Sequence, residues 1–269
     1  MTGSPPRVVG VFAHPDDDVY TIGGALALHG GSLGPTLVFC TSGGAGPIYD
    51  RSLASRETLA EVREREQAAS MAALGVRADV RFLRHPDYYL PDVPFDVLTD
   101  QIESILTEVH PQVVVTFGAD GMTSHHDHIR AGEATAEAFR RARLDGSAGG
   151  PPRLYQCALP RSAVDAFYAG LEDLHHDAYG AEGTLFNIVG VEDDRIAVAV
   201  DTRPVHDLKL RAILAHRTQR GELERIPEAL RWIHLETEWF VRAWPPAGDV
   251  EPSSSDPFEP APRTKRMGS

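Results

Sequence analysis

Short, β-branched apolar runs alternate along this chain with longer segments of helical spacing. That order predicts parallel strands joined by crossover helices. Arg7-Val-Val-Gly-Val-Phe-Ala13 is almost wholly apolar and predicts a first strand buried on both faces. A helix follows over 20–30, around Ile22, Ala25, Leu26 and Leu28, and Gly30-Gly31 closes it. Residues 36–41 predict a second strand, which runs into the glycine-rich loop Ser42-Gly-Gly-Ala-Gly-Pro47. Next come a helix over 55–74 that stops at Gly75, a strand at 80–83, and a helix over 95–109 that ends before Pro111. A fourth strand at 112–117, a helix over 127–142 and a fifth strand at 154–159 complete the regular part.

The remainder is less periodic. Residues 161–190 read as a short helix among loops, 195–200 as a late strand, and 204–217 as a helix, with 222–241 also helix-like. From Pro245 the chain turns to Pro, Ser and acidic residues, a composition too poor in apolar surface to order itself. The expected organisation is one α/β domain over 1–244, with a C-terminal elaboration, and a Pro/Ser-rich tail over 245–269.

Charge narrows the partners. Lys and Arg total 26 against 39 Asp and Glu, a formal charge of -13. Phosphate contacts need surplus cationic side chains, so nucleic acid and anionic membrane surfaces are disfavoured. Cys40 and Cys157, both in strand-like runs, read as buried and reduced. No apolar run approaches a bilayer span, and the N-terminus meets His14 and three carboxylates before a signal-type apolar core forms. The expectation is a cytoplasmic protein acting on a small molecule.

Where a dinucleotide-binding fold places G-x-G-x-x-G, this first strand ends in Ala13-His14-Pro15-Asp16-Asp17-Asp18. Three carboxylates would repel a pyrophosphate, but an imidazole and a carboxylate at H-x-x-D spacing suit a divalent cation. Neighbouring residues of an extended loop point in different directions. One of Asp16 and Asp17 therefore serves as a ligand while the other addresses the attacking water, and Asp18 is expected to be an ordinary helix-start acid. The fourth strand ends in Thr123-Ser-His125-His126-Asp127-His128, and His125 and His128 share a helix face. His14, Asp17 and one of these histidines would leave an open coordination position, the arrangement of catalytic zinc.

These motifs resemble the LmbE-like, or PIG-L, de-N-acetylases: A-H-P-D-D-E stands here as Ala13 to Asp18, and H-P-D-H as His125 to His128. A weaker third feature, K-x-x-A-x-x-x-H-x-x-Q, is met by Lys209, Ala212, His216 and Gln219. The resemblance covers roughly 7–219 and implies a Rossmann-like, mostly parallel sheet flanked by helices. It implies His14, Asp17 and His128 as ligands of Zn2+, with Fe2+ or Co2+ suited to the same donors. It implies Asp16 as general base, and His125, with Asp127 as its partner, as the group that holds the oxyanion or protonates the leaving amine. A fall in activity at high pH would then follow His125 losing its proton.

Two departures stand at Asp18, usually Glu, and His126, usually Pro; Thr123 also stands where some members carry a tyrosine. For substrate binding the resemblance points to Arg63 and Asp87, and His216 is placed in the cleft. The competing readings are a solvated helix face for Arg63 and Glu66, a turn aspartate for Asp87 and a satisfied helix histidine for His216. The implied function is a metal-dependent hydrolase that frees an amine and acetate from an N-acetyl amino sugar or its conjugate. The rivals are an amidase for a larger acyl group and an inactive, metal-stabilised sugar binder.

Overall fold

The computed structural model describes residues 5–144, 152–175, 187–246 and 256–259. In chain order its elements are β1 (Val8–Phe12), α1 (Asp17–Thr21), α2 (Gly23–Leu28), β2 (Thr36–Thr41), α3 (Leu59–Leu74), β3 (Asp79–His85), α4 (Phe95–Val109) and β4 (Val113–Phe117). They continue with α5 (His126–Ala142), β5 (Arg153–Ala158), α6 (Arg161–Asp173), β6 (Val198–Asp201), α7 (His206–Ala215), α8 (Gly221–Glu224), α9 (Trp232–Leu235) and β7 (Thr237–Trp244). The seven strands form one sheet in the order β3-β2-β1-β4-β5-β7-β6. The first five run parallel; β7 is antiparallel to both β5 and β6.

The strand order places the site. From β1 the chain winds outward through β2 and β3, then returns to lay β4 on the other side of β1. Such a reversal opens a crevice beyond the carboxyl ends of the two central strands. Val8–Phe12 and Val113–Phe117 are buried at every position, as helices on both faces require. Among the described residues no helix is long and apolar enough to cross a membrane.

The helix expected over 20–30 begins earlier, at Asp17, and breaks at Ile22. The expected start at 55 gives way to a turn, because Ser55 and Thr58 bond each other before α3 begins. The larger correction is at 222–241, which holds two single-turn helices and then the strand β7. Trp239, Phe240 and Val241 give this stretch its β character, and pairing with both β5 and β6 decides it. Nor is 245–269 wholly a tail. Asp256–Glu259 returns to the body with Phe258 fully buried, the Arg153 guanidinium donating to the Glu259 carbonyl at 2.7 Å, and His29 donating to Asp256 at 2.8 Å. One aromatic side chain suffices to dock a segment whose average composition is polar.

Two contacts fix the parts that carry the site. Gly132 of α5 lies so close to β4 that a Cβ there would stand 2.5 Å from the Phe117 carbonyl oxygen. Lys209 of α7 and Glu238 of β7 form a wholly buried ion pair at 2.7 Å. Glu238 also accepts from the amides of Gly24 and Ala25 at 2.7 and 2.8 Å. That pair is the structural use of the lysine in the third sequence feature.

Gly132→Ala should therefore cost about 1–3 kcal/mol, read by denaturant unfolding, since α5 must move off the sheet. Asp256 bonds His29 and raises its pKa above the ordinary value. The stabilisation from this pair is present below His29's unfolded pKa of about 6.5 and lost as pH rises through the folded value. NMR titration should find the His29 midpoint raised, and restored toward the ordinary value by Asp256→Asn. An unshifted wild-type midpoint would contradict the contact.

Candidate metal centre and active-site cleft

At the end of β1 the Ala13 carbonyl accepts from the Thr41 amide at 2.9 Å and its hydroxyl at 3.0 Å, which fixes the strand just before the turn. Asp16 then adopts φ 101°, a left-handed conformation that costs a residue with a Cβ roughly 1–2 kcal/mol. Arg63 of α3 holds it there, donating to the Pro15 carbonyl at 2.6 Å, the Asp16 carboxylate at 2.9 Å and the Gly43 carbonyl at 3.0 Å. Gly43, at φ 67°, leaves room for that guanidinium, which a Cβ would strike. Gln67 completes the support, accepting from the Asp16 amide at 3.3 Å and donating to Asp18 at 2.8 Å.

From β4 the chain turns through Gly121 into α5, whose first residues carry the second half of the site. His128 donates through Nδ1 to the Gly121 carbonyl at 2.9 Å, and its ring stacks on Phe117 at 4.1 Å. This leaves the Nε2 lone pair facing Asp17 at 3.3 Å and His14 Nδ1 at 3.2 Å. His14 is oriented from its other nitrogen: Nε2–H points at Asp87 (3.0 Å) and Asp127 (3.3 Å). These carboxylates are themselves fixed, Asp87 by the Ala45 amide at 2.6 Å and Asp127 by the amides of Tyr88 and Leu90 at 2.7 and 3.0 Å.

His14 Nδ1, His128 Nε2 and the Asp17 carboxylate thus converge, with separations of 3.2, 3.3 and 3.6 Å. Metal–ligand bonds of about 2.0–2.1 Å in a tetrahedron require ligands about 3.3 Å apart. The residues fit a divalent ion. They also carry the carboxylate partner that fixes a ligating imidazole's tautomer. Three other groups lie close: His14 with His125 and His128, which sets His125 in place of Asp17 beside the same two imidazoles, and His14 with Asp87 and Asp127 and His125 with His126 and Asp127, whose carboxylates are already committed to backbone amides or to His14.

Burial would depress His14, but Asp127, Asp87 and Asp17 outweigh it and push its pKa up to about 10. The three carboxylates thus favour a cation at this position, where a metal ion would compete with the proton. Burial raises Asp17 too, yet His128 and His14 hold it well below the usual carboxylate range. Asp16 is raised by burial and by the charge of Asp17, against the opposing pull of Arg63. His125 is pushed down to about 4 by burial and by the neighbouring His14 and His128. Its Nδ1 accepts from the Asp127 amide at 3.2 Å, so the neutral ring carries its proton on Nε2 as a ready donor.

These residues open on a cleft of about 600 Å³. Its lining includes His14, Asp16, Asp17, Arg63, Asp87, Thr123, His125 and His128. Three expectations change. The Asp127 carboxylate serves His14, and only its backbone amide reaches His125. A high-pH loss of activity through His125 is disfavoured, because burial and the neighbouring His14 and His128 push its pKa down. His216 does not line the cleft: it is buried, with neither ring nitrogen hydrogen-bonded, and burial with nearby Arg63 lowers its pKa to about 3. Glu66 is structural, taking the Thr218 amide and hydroxyl at 2.9 and 2.7 Å. His126 turns out to the Tyr88 carbonyl at 2.7 Å and adds no imidazole to the centre. Asp18 is buried on Gln67, and burial raises it to about 7.

Sequence reasoning passed over Tyr20, Tyr49, Asn187, Glu222, Arg225 and His234, all of which line the cleft. They come from segments far apart in the chain and carry no local pattern.

If Asp87 and Asp127 set the His14 tautomer, Asp87→Asn and Asp127→Asn should each weaken metal affinity about 10–100-fold, measured by competition with a chelating dye. Unchanged affinity in both would contradict the orientation argument.

Residues 9–139 match the family profile described as PIG-L: GlcNAc-PI de-N-acetylase. The chain is similar to the 1D-myo-inositol 2-acetamido-2-deoxy-alpha-D-glucopyranoside deacetylase of Acidothermus cellulolyticus, 34% identical over 241 residues and covering 78% of each chain. The enzyme of the same name from Salinispora arenicola is 31% identical over 238 residues, covering 79% of this chain and 76% of the relative. Among solved structures, the N,N'-diacetylchitobiose deacetylase of Pyrococcus horikoshii aligns with TM-score 0.57 and 20% identity, over 88% of this chain and 84% of that one. The 4-carboxy-2-hydroxymuconate hydratase of Pseudomonas putida aligns with TM-score 0.60 and 19% identity, over 91% and 98%. A hydratase shares the fold, so the fold alone does not name the reaction. The sequence matches and the paired motifs at the ends of β1 and β4 do what the fold cannot: this chain belongs to the PIG-L family of de-N-acetylases.

Proposed function

We propose that the chain hydrolyses the N-acetyl group of a 2-acetamido sugar carried in a glycoside, releasing acetate and the free amine, with zinc as its ion. The observation that carries this reading is the Asp16 carboxylate, held by Arg63 at 2.9 Å on the same cleft as the convergent donors of His14, Asp17 and His128. Mere sugar binding has no use for a strained, buried acid beside a ligand set. Relatives at this level of identity carry the name of a deacetylase for a glucosaminide of inositol, which supports a polyol glycoside as the substrate. The catalytic unit we assign is residues 1–244, with Asp256–Glu259 latched to it.

His14, Asp17 and His128 would hold the ion, and zinc there supplies Lewis-acid polarisation of the acetyl carbonyl. Iron or cobalt suits the same donors. Asp16 accepts a proton from the attacking water, and burial, by raising its pKa, makes it a stronger base than an exposed aspartate. Arg63 keeps that carboxylate aimed, which makes it a positioning residue. The Nε2–H of His125 donates to the developing oxyanion, a task for a neutral imidazole. Asp87 and Asp127 act through His14, holding its Nε2–H.

Amine release from an N-acetylglucosaminyl glycoside should fall roughly a hundred- to ten-thousand-fold in Asp16→Asn, with bound metal unchanged at about one ion per chain. Turnover surviving this substitution would remove Asp16 as the base.

A further inference from the structure

The cleft has a floor and a mouth. His14, Asp16 and Asp17 at the floor are 8%, 7% and 8% exposed. Tyr49, Glu222 and Arg225 at the mouth are all exposed. An acetamide reacting at the floor leaves the rest of its glycoside directed toward the mouth, where these three residues form one wall and the exposed Tyr88 and Asn187 stand beside it.

The wall is built, not incidental. Tyr49 packs its ring on Gly221, where a Cβ would come within 2.7 Å of it, and Arg225 sits over the same ring at 5.0 Å. Gln219 is tied down, donating to the Pro47 carbonyl at 3.0 Å and the Thr218 hydroxyl at 3.1 Å. Four acids line the cleft, and three are engaged: Asp16 by Arg63, Asp17 by His128 and the His14 amide, and Asp87 by His14 and the Ala45 amide. The fourth, Glu222, has no side-chain hydrogen bond or ion pair among the described residues. Arg225, three residues on, lies over the Tyr49 ring and forms no ion pair with Glu222 among the described residues. The charges of Arg63, Asp17, His14 and His128 all act on Glu222, which places it over the same space as the reaction.

We propose that Glu222 is the specificity-determining residue for the group linked to the sugar: its carboxylate accepts hydrogen bonds from hydroxyls of a neutral polyol and rejects an anionic one. The inference rests on the deacetylase reading above. A carboxylate accepts from vicinal hydroxyls without needing a proton of its own, whereas a phosphate brought against Glu222 meets a like charge.

The test uses the metal-loaded full chain and two substrates, an N-acetylglucosaminyl inositol and the same glycoside bearing a phosphate monoester on its inositol. The readout is the ratio of kcat/KM for the neutral over the anionic glycoside. The wild type should favour the neutral one. Glu222→Gln keeps an acceptor and removes the charge, and Glu222→Lys reverses it; the ratio should drop about tenfold in the first and further in the second. A ratio unchanged in both variants, or a wild type that prefers the phosphorylated glycoside, overturns the role of Glu222. A wild type silent on both substrates overturns the deacetylase reading, and this assignment with it. Circular dichroism and metal content of each variant distinguish lost selectivity from lost folding, and either variant alone decides the question if the other does not fold.

Discussion

The arrangement rests on one hydrogen-bonding constraint, the pair of carboxylates at His14 Nε2. Asp87 comes from the loop after β3 and Asp127 from the first turn of α5, and each is anchored by backbone amides before it meets the imidazole. Together they force the proton onto Nε2 and turn Nδ1 toward His128 and Asp17. A carboxylate pair without the imidazole between them would repel, and an imidazole without them would have no fixed tautomer. The same contacts make the centre electrostatically expensive when empty of cation, which is the physical basis of its affinity for one.

Everything else in the fold serves to bring those segments together. The reversal of strand order between β1 and β4 sets His14 and His128 side by side although 114 residues separate them. The close approach of Gly132 to the Phe117 carbonyl seats α5, and with it His125, Asp127 and His128. Asp16 takes a left-handed conformation at φ 101°, and the Arg63 guanidinium bonds its carboxylate, the preceding Pro15 carbonyl and the Gly43 carbonyl at once. Strain of this kind persists only where its surroundings over-determine it.

Much of this was legible in the sequence. The bounds of β2 and α4 coincide with the expected ones, because a buried β-branched run and a helix with proline at both borders leave little choice. A site of His14, an adjacent aspartate and one of His125 and His128 was readable from spacing, since each half is a short contiguous motif at a strand end; the choice of Asp17 and His128 came from the family resemblance. What escaped had a common cause. His216, Asp127 and Glu222 owe their roles to which neighbour a side chain meets across the fold, and no spacing records that. The strand β7 was hidden because its eight residues also suit a helix until β5 and β6 offer it partners. The docked Phe258 shows the same limit at the C-terminus: composition averages over a segment, while a single buried ring decides its placement.

The central claim, that two second-sphere carboxylates aim His14 so that it closes a site with Asp17 and His128, is tested most directly by anomalous diffraction from crystals grown with zinc. The account predicts one peak per chain, between His14 Nδ1, His128 Nε2 and the Asp17 carboxylate, with Asp87 and Asp127 remaining on His14 Nε2. A peak on the Nε2 side of His14, coordinated by Asp87 and Asp127 instead, would contradict it.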